Sequence, residues 1–352
     1  MKRLVFNFLI ILFLNVFSNQ LLANKRDEVE RKKKIEKTYI VNSQQVLDIT
    51  NKFGKVHINT WDKDQIDIVI EIVALGETDE RAMRILDKIE IDITESTSRI
   101  QFETLLKGNM SNGKEESFEI NYEVSRPKTN PLKFNNSFGD TYLADFAGNL
   151  EMDVSYGGMQ AGKLTGSSNV KVSFGDGNID EIKGGDLIVK YSDVDVEELG
   201  NVKLDLGYSD VSVGKGNNLL VECKYGDFDL GEVYEIKGSV GFSGFKIAKL
   251  YKSIVMEAAY AGGFRIEEVA KDFEIIDLKG KLGVFRIGLS DQTNCSFEAK
   301  LKFCELNYSG LNLDLNYKVK EDFKSEYRGK IGDGSGGKIS ITSEYGDVKL
   351  HN

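Results

Sequence analysis

Residues 187–213 read LIVKYSDVDVEELGNVKLDLGYSDVSV, and the fold is decided in this stretch. Tyr191 and Tyr208 stand 17 residues apart, and each is preceded at two and four residues by apolar side chains: Val189 and Leu187, then Leu206 and Leu204. Such alternation is the signature of a half-buried strand. Ser-Asp follows each tyrosine, a pair with turn chemistry. Apolar residues resume three and five places after the aromatic, as Val194 and Val196 or Val211 and Val213. Each unit is therefore two short strands and two bends. A unit this small cannot bury its apolar side alone, but stacked copies share one continuous core, which is the logic of a solenoid.

The unit recurs on both sides of this stretch. Aromatic residues fall at Phe138, Tyr156, Phe174, Tyr191, Tyr208, Tyr225, Phe242 and Tyr260, at spacings of 17 or 18. Val170 and Val172 repeat the alternation before the aromatic, and Phe245, Ile247 and Leu250 repeat the pattern after it. Tyr260 keeps the template with one inserted residue, through Phe264, Ile266 and Val269; Leu282, Phe303 and Tyr345 open degenerate late coils. The predicted fold class is all-β: a parallel β-solenoid (β-helix) of about 17–18-residue coils with a small α+β leading segment. An antiparallel β-sandwich or barrel is the alternative, since short strands at regular spacing suit it too. The solenoid ranks first because it stacks each slot on its own counterpart, which explains an aromatic in the same slot through so many units.

Carried through the aromatic slot, the alternation places the aromatics inside, in phase with the Val and Leu two and four residues earlier. That reading predicts an interior ladder rather than a sugar-stacking platform. Lys171, Ser173, Lys190, Asp205, Glu222 and Lys224 occupy outward slots and are mixed in sign.

The N-terminus begins with Lys2 and Arg3, runs apolar from Leu4 to Phe17, and reaches a small residue at Ala23. This pattern predicts a secretory signal peptide over 1–23, its apolar core too short for a membrane span. No Cys near the cut supports a lipid anchor, and no transmembrane segment is expected in the mature chain. Removing the signal turns 46 basic and 56 acidic residues into 44 and 56, a net charge of −12, which argues against nucleic acid or anionic lipid as a partner. Asn24 to Lys37, with seven basic and four acidic residues, reads as a charged tether, a short helix being the alternative. A strand-rich segment with one helix is expected over 38–131. Thr78 caps the helix, Asp79 and Glu80 sit in its first turn, and Ala82, Ile85, Leu86 and Ile89 form its apolar stripe. The only prolines, Pro127 and Pro131, mark the boundary before a repeat domain over 132–352.

Two motifs carry a family resemblance. Asn51-Lys52-Phe53-Gly54-Lys55-Val56-His57-Ile58, followed by Trp61-Asp62-Lys63, and later Pro131-Leu132-Lys133 with Asn136-Ser137-Phe138-Gly139-Asp140, resemble the putative adhesin family of exported Bacteroidetes-type proteins. The resemblance implies a domain of unknown function with a β-helix-like fold, and it supplies no catalytic residues. Val56, Ile58 and Trp61 also fit the coil template around Phe53.

The chemistry-bearing residues favour structural roles. Asp176, Asp193, Asp210 and Asp227 would stack along one edge, where Ca²⁺ could bridge them, but Asp is common in tight turns and the slot becomes Gly158, Gly244 and Gly262 elsewhere. His57 and His351 are far apart in the chain, and no zinc spacing, nucleophile elbow or phosphate loop is present. Gly332-Asp333-Gly334-Ser335-Gly336-Gly337 reads as a flexible loop. Three cysteines cannot all pair internally. Cys223 and Cys295 fall in core phase as free thiols, while Cys304 is the more exposed one. No catalytic, cofactor-binding or metal residue is assigned.

These features predict a non-enzymatic, adhesin-like envelope or cell-surface scaffold, located in the periplasm or on the outer surface of a Gram-negative bacterium. Its expected partner is an envelope or surface protein or a glycan. A polysaccharide lyase or hydrolase built on a solenoid is the alternative. Tyr345 to Leu350 starts another coil near the chain end, so either the stretch from Glu321 to Gly337, folded over the last coils, or a partner strand is expected to cap their open edge.

Overall fold

The computed structural model describes residues 28–108, 110 and 116–352. The export signal expected over 1–23 lies outside the described residues. The strands are β1 (Val29–Ile40), β2 (Val46–Lys52), β3 (Val56–Trp61), β4 (Gln65–Gly76), β5 (Ile89–Glu95), β6 (Arg99–Leu106), β7 (Ser117–Pro127), β8 (Leu132–Ser137) and β9 (Thr141–Leu143). Next come β10 (Leu150–Ser155), β11 (Met159–Ser173), β12 (Asp176–Lys190), β13 (Asp193–Gly207), β14 (Asp210–Lys224), β15 (Asp227–Gly241), β16 (Gly244–Ala259) and β17 (Gly263–Val269). The chain closes with β18 (Ile275–Lys281), β19 (Phe285–Leu289), β20 (Cys295–Lys302), β21 (Leu306–Asn307), β22 (Leu313–Glu321), β23 (Lys324–Ile331), β24 (Gly337–Glu344) and β25 (Val348–His351).

The described residues divide into two compact units: 28–34 with Glu71–Glu90 and the described part of 106–119, and Ile35–Ile70 with Ile91–Leu105 and Ile120–Asn352. The first contains the helix α1 (Asp79–Asp87). Thr78 accepts a hydrogen bond from the Arg81 N–H as its N-cap, the Asp79 and Glu80 carboxylates face the positive end of the helix dipole, and Ala82, Ile85 and Leu86 are buried. Where the charge run over 24–37 predicts a tether or helix, Val29 to Ile40 instead forms β1, paired with β4. The reason is β4, whose Ile66, Ile68, Ile70, Ile72 and Ala74 are all buried. A strand that regular presents an edge, and a lysine-rich neighbour that stays solvated closes it.

The second unit is the solenoid. In each coil a leading run of strand follows the aromatic slot and a trailing run precedes the next one; in β12 and β13 the pairing of the two runs is separated at Lys183 and Gly200. Trailing runs pair in parallel through β2, β8, β10, β11 and onward to β16, β18 and β24. Leading runs follow the same path through β3, β9, β11 to β16, β17, β19 and β25. Parallel stacking coil on coil, with register shifts only after Leu164, Val233 and Ile266, excludes the sandwich or barrel alternative. Val194, Val196, Leu199, Val202, Leu204 and Leu206, from a single coil, all lie inside with 3% exposure or less. Burying each side chain of this size contributes about 1.5–3 kcal/mol, so every coil adds its own share of core.

Coil order departs from chain order at both ends. The Phe53 coil lies between β6–β7 on one side and β8–β9 on the other. At the far end the last coil of the chain, β24–β25, is inserted between β18–β19 and β20–β21. The edge needing cover is therefore that of β20, not of the chain end. β23 pairs antiparallel with β20, and β22 pairs antiparallel with β23. The expected cap over Glu321 to Gly337 thus exists as one strand of a hairpin. Pro127 closes β7 and Pro131 precedes β8, and both belong to the second unit.

Candidate functional site

The aromatic slot lies on the outside of the solenoid. Tyr208 is 54% exposed, and Phe138, Tyr156, Phe174, Tyr191, Tyr225, Phe242 and Tyr260 are similarly open to solvent. This corrects the expected interior ladder, and the reason is backbone geometry. Every one of these residues has a positive φ, between 54° and 62°, as do Phe53, Leu282, Phe303 and Tyr345. A left-handed residue between two extended runs reverses the inside–outside phase. The aromatic is turned outward, and the residue after it is turned in: Ser192, Ser209 and Ser243 are buried. Each aromatic N–H stays in the ladder, as Tyr191 donates to the Gly207 carbonyl at 3.0 Å and Tyr208 to that of Lys224 at 3.0 Å.

The left-handed conformation costs a non-glycine residue about 1–2 kcal/mol. Ring stacking offsets it. From Phe53 through Phe138, Tyr156, Phe174, Tyr191, Tyr208, Tyr225, Phe242 and Tyr260 successive centroids lie 4.5–5.1 Å apart with interplanar angles of 12° or less. A pair of this kind contributes about 0.5–1.5 kcal/mol beyond its buried area. The backbone at this corner is tight as well: a Cβ added at Gly139 would stand 1.9 Å from the Gly54 carbonyl oxygen. Because the rings cover one another's faces, the column presents ring edges rather than open platforms. Stacking a sugar on a ring face is thereby ruled out within the column.

The slot two residues after the aromatic forms a second exposed column, and Asp176, Asp193 and Asp210 are register partners in successive coils. Its carboxylates accept backbone N–H groups of the next coil: Asp140 from Gly158, Asp210 from Asp227, and Asp227 from Gly244. These aspartates bridge coils instead of closing their own turns. Among the described residues, no three His, Cys, Asp or Glu side chains converge as metal ligands would.

The paired Asn-x-Phe-Gly motifs have a structural explanation. Asn51 and Asn136 are fully buried two residues before Phe53 and Phe138, where later coils carry Val154, Val172 and Val189. Asn51 Nδ2 donates to Asn136 Oδ1 and to the Ile120 carbonyl, and Thr104 Oγ1 donates to Asn51 Oδ1. Asn136 Nδ2 reaches the carbonyls of Gly54 and Gly139 and Thr141 Oγ1. Tyr122 shares a hydrogen bond with Thr104, and burial pushes its hydroxyl up to about 12. The network fixes the first two corners without an ionic group.

Arg126 escapes sequence reasoning, since nothing in its neighbourhood marks it as interior. Its side chain is fully buried, donates to the carbonyls of Pro127, Asn130 and Pro131, and lies over the Phe146 ring at 5.0 Å. Burial pulls the guanidinium down to about 9. The cysteines are free, with Cys223 and Cys295 buried and Cys304 half-buried. Burial raises the Cys223 thiol and pushes that of Cys295 up to about 11, the opposite of an activated nucleophile. His57 tilts against Tyr142, with ring centroids 4.4 Å apart and Glu123 at 3.9 Å, and His351 belongs to β25 in a separate coil. Gly332 to Gly336 forms the turn between β23 and β24, which begins at Gly337, and Asp333 accepts there from the N–H and hydroxyl of Ser335.

No family model and no curated protein matches the chain. Solved structures do resemble it. One is a putative adhesin from Parabacteroides merdae, with 10% identity, 90% of this chain and 96% of that chain covered, and a TM-score of 0.35. Another is a putative adhesin from Parabacteroides distasonis, with 10% identity, coverage of 73% and 93%, and a TM-score of 0.35. A third is a putative lipid binding protein from the same species, with 9% identity, coverage of 91% and 96%, and a TM-score of 0.26. Likeness this distant says nothing of what the present chain binds.

Proposed function

We propose that this chain is an exported, adhesin-like, non-enzymatic scaffold that binds an envelope or surface protein or a glycan through its outward columns. The observation that carries the reading is the exposed aromatic column with its 4.5–5.1 Å pitch. A solenoid repeats whatever it displays, so the same outward side chain recurs at every coil and the surface is long and periodic. A partner that is itself extended can engage many rungs at once, each adding a small increment, which is how multivalent contacts reach useful affinity. The excess of 56 acidic over 46 basic residues disfavours nucleic acid.

The test uses purified mature protein against envelope extracts and a panel of neutral and acidic polysaccharides, beside a Tyr191→Ala/Tyr208→Ala/Tyr225→Ala variant of confirmed fold. The reading expects one class of ligand to be retained and released intact, with retention lost in the variant. Sustained cleavage of a polysaccharide would establish the lyase or hydrolase reading instead. Cell fractionation and protease shaving of intact cells check the location, with a periplasmic or surface signal expected.

A further inference from the structure

The leading runs carry segregated charge. In the slot four residues after the left-handed corner residue, five after Tyr260 with its inserted residue, Lys246, Arg265, Arg286 and Lys349 are register partners in four consecutive coils. The four preceding coils hold Asn178, Asp195, Ser212 and Asp229 in the same slot. Beside these four lies the column of Asp176, Asp193, Asp210 and Asp227, exposed and without an ion-pair partner among the described residues. Glu267 sits between Lys246 and Arg265, at 3.5 and 2.9 Å, but Arg286 and Lys349 have no ion-pair partner among the described residues.

We propose that this face joins two copies of the chain about a two-fold axis parallel to the strands, passing between the coils of β15 and β16. Such an axis reverses coil order and leaves position along the strand unchanged. It sets Lys246 of one copy opposite Asp229 of the other and Arg286 opposite Asp195. Asp227 and Asp210 then oppose Gly244 and Gly263, which have no side chain in the way, and stand one slot from Lys246 and Arg265. Two residues along a strand span about 6.6 Å, within reach of a lysine or arginine. The slot seven residues after the aromatic, eight after Tyr260, obeys the same operator: Glu232 falls opposite Lys249, and Lys215 opposite Glu268, at paired register positions, Lys249 and Glu268 being themselves paired within the chain at 2.8 Å. The equal coil pitch of the two copies keeps every pair aligned. An axis along the solenoid would oppose each coil to itself, acid against acid, so the charge pattern selects the reversed arrangement. At the far end Asp176 meets Asp347, with Lys349 alongside.

The test is the mass of the mature full chain by sedimentation velocity, for wild type, Arg265→Glu/Arg286→Glu, and Asp193→Lys/Asp195→Lys/Asp210→Lys. Wild type is expected to be dimeric near 50 mM salt, with its dissociation constant rising at least about tenfold toward 500 mM as screening shortens. Each variant alone should be monomeric with wild-type circular dichroism. An equimolar mixture of the two should recover the dimer, because every reversed charge then meets its complement. A monomeric wild type at low salt, variants that still dimerise, or a mixture that stays monomeric would each overturn the proposal.

Discussion

Replacing Tyr208 tests the outward, left-handed corner most sharply. Its φ is 55°, it is 54% exposed, and its ring stacks on Tyr191 at 5.0 Å and Tyr225 at 4.7 Å. Tyr208→Ala removes two stacked contacts worth about 0.5–1.5 kcal/mol each, so a loss of about 1–3 kcal/mol is expected. A fully buried aromatic would cost about 3–5 kcal/mol. The comparison with glycine is more diagnostic. Alanine retains the left-handed penalty of about 1–2 kcal/mol. Tyr208→Gly relieves it while adding about 0.5–1 kcal/mol of unfolded-chain entropy. Glycine should therefore equal or exceed alanine in stability at this position. At buried Leu206, on extended backbone two residues earlier, the order should be the ordinary one, with glycine the worse by about 0.5–1 kcal/mol. Urea denaturation followed by circular dichroism gives all four midpoints. Glycine below alanine at both positions, or a Tyr208→Ala loss matching that of Leu206→Ala, would refute the outward left-handed corner.

Asn136→Ala strands the buried Gly54 carbonyl, the half-buried Gly139 carbonyl and Asn51, so a loss of about 1–3 kcal/mol should appear in the same denaturation assay. Lys190→Ala breaks only a surface pair with Asp205 and should shift stability by no more than about 0.5 kcal/mol. Thiol labelling of native protein followed by peptide mass analysis should find Cys304 first, with Cys223 and Cys295 reacting only on unfolding. Lys318 and Lys320 stand on β22, the outer strand of the terminal hairpin; Lys318→Val/Lys320→Val should promote edge-to-edge association, visible as salt-insensitive high-mass species by light scattering.

The stacked-coil architecture was legible because the period near 17 residues and the flanking apolar alternation are properties of local sequence. The helix was equally plain from Thr78, its acidic first turn and the stripe at Ala82, Ile85 and Leu86. The aromatic column stands on the side opposite to that predicted by its phase with the preceding Val and Leu, although the sequence carries the signal. Apolar residues lie at even spacing before Tyr208, at Leu204 and Leu206, but at odd spacing after it, at Val211 and Val213. That change of parity at the aromatic is the mark of a phase-reversing residue, whereas strict alternation would have continued at even positions. The insertion of β24–β25 between earlier coils had no local signal, because a degenerate coil carries the same template whichever neighbours it stacks on. β1 was hidden by its composition: a charged strand on the edge of a sheet buries little and resembles a tether. Arg126 bonds to carbonyls one, four and five residues further on, at Pro127, Asn130 and Pro131, but its burial against the Phe146 ring comes from packing that leaves no local mark in the sequence.

The account turns on the aromatic column standing outside the core, and tyrosine nitration of the native protein, mapped by peptide mass spectrometry, addresses it directly. Tyr156, Tyr191, Tyr208, Tyr225 and Tyr260 should be modified under native conditions, whereas Tyr122 and Tyr327, at 1% and 4% exposure, should react only after unfolding. Protection of the five column tyrosines to the level of Tyr122 would contradict the account.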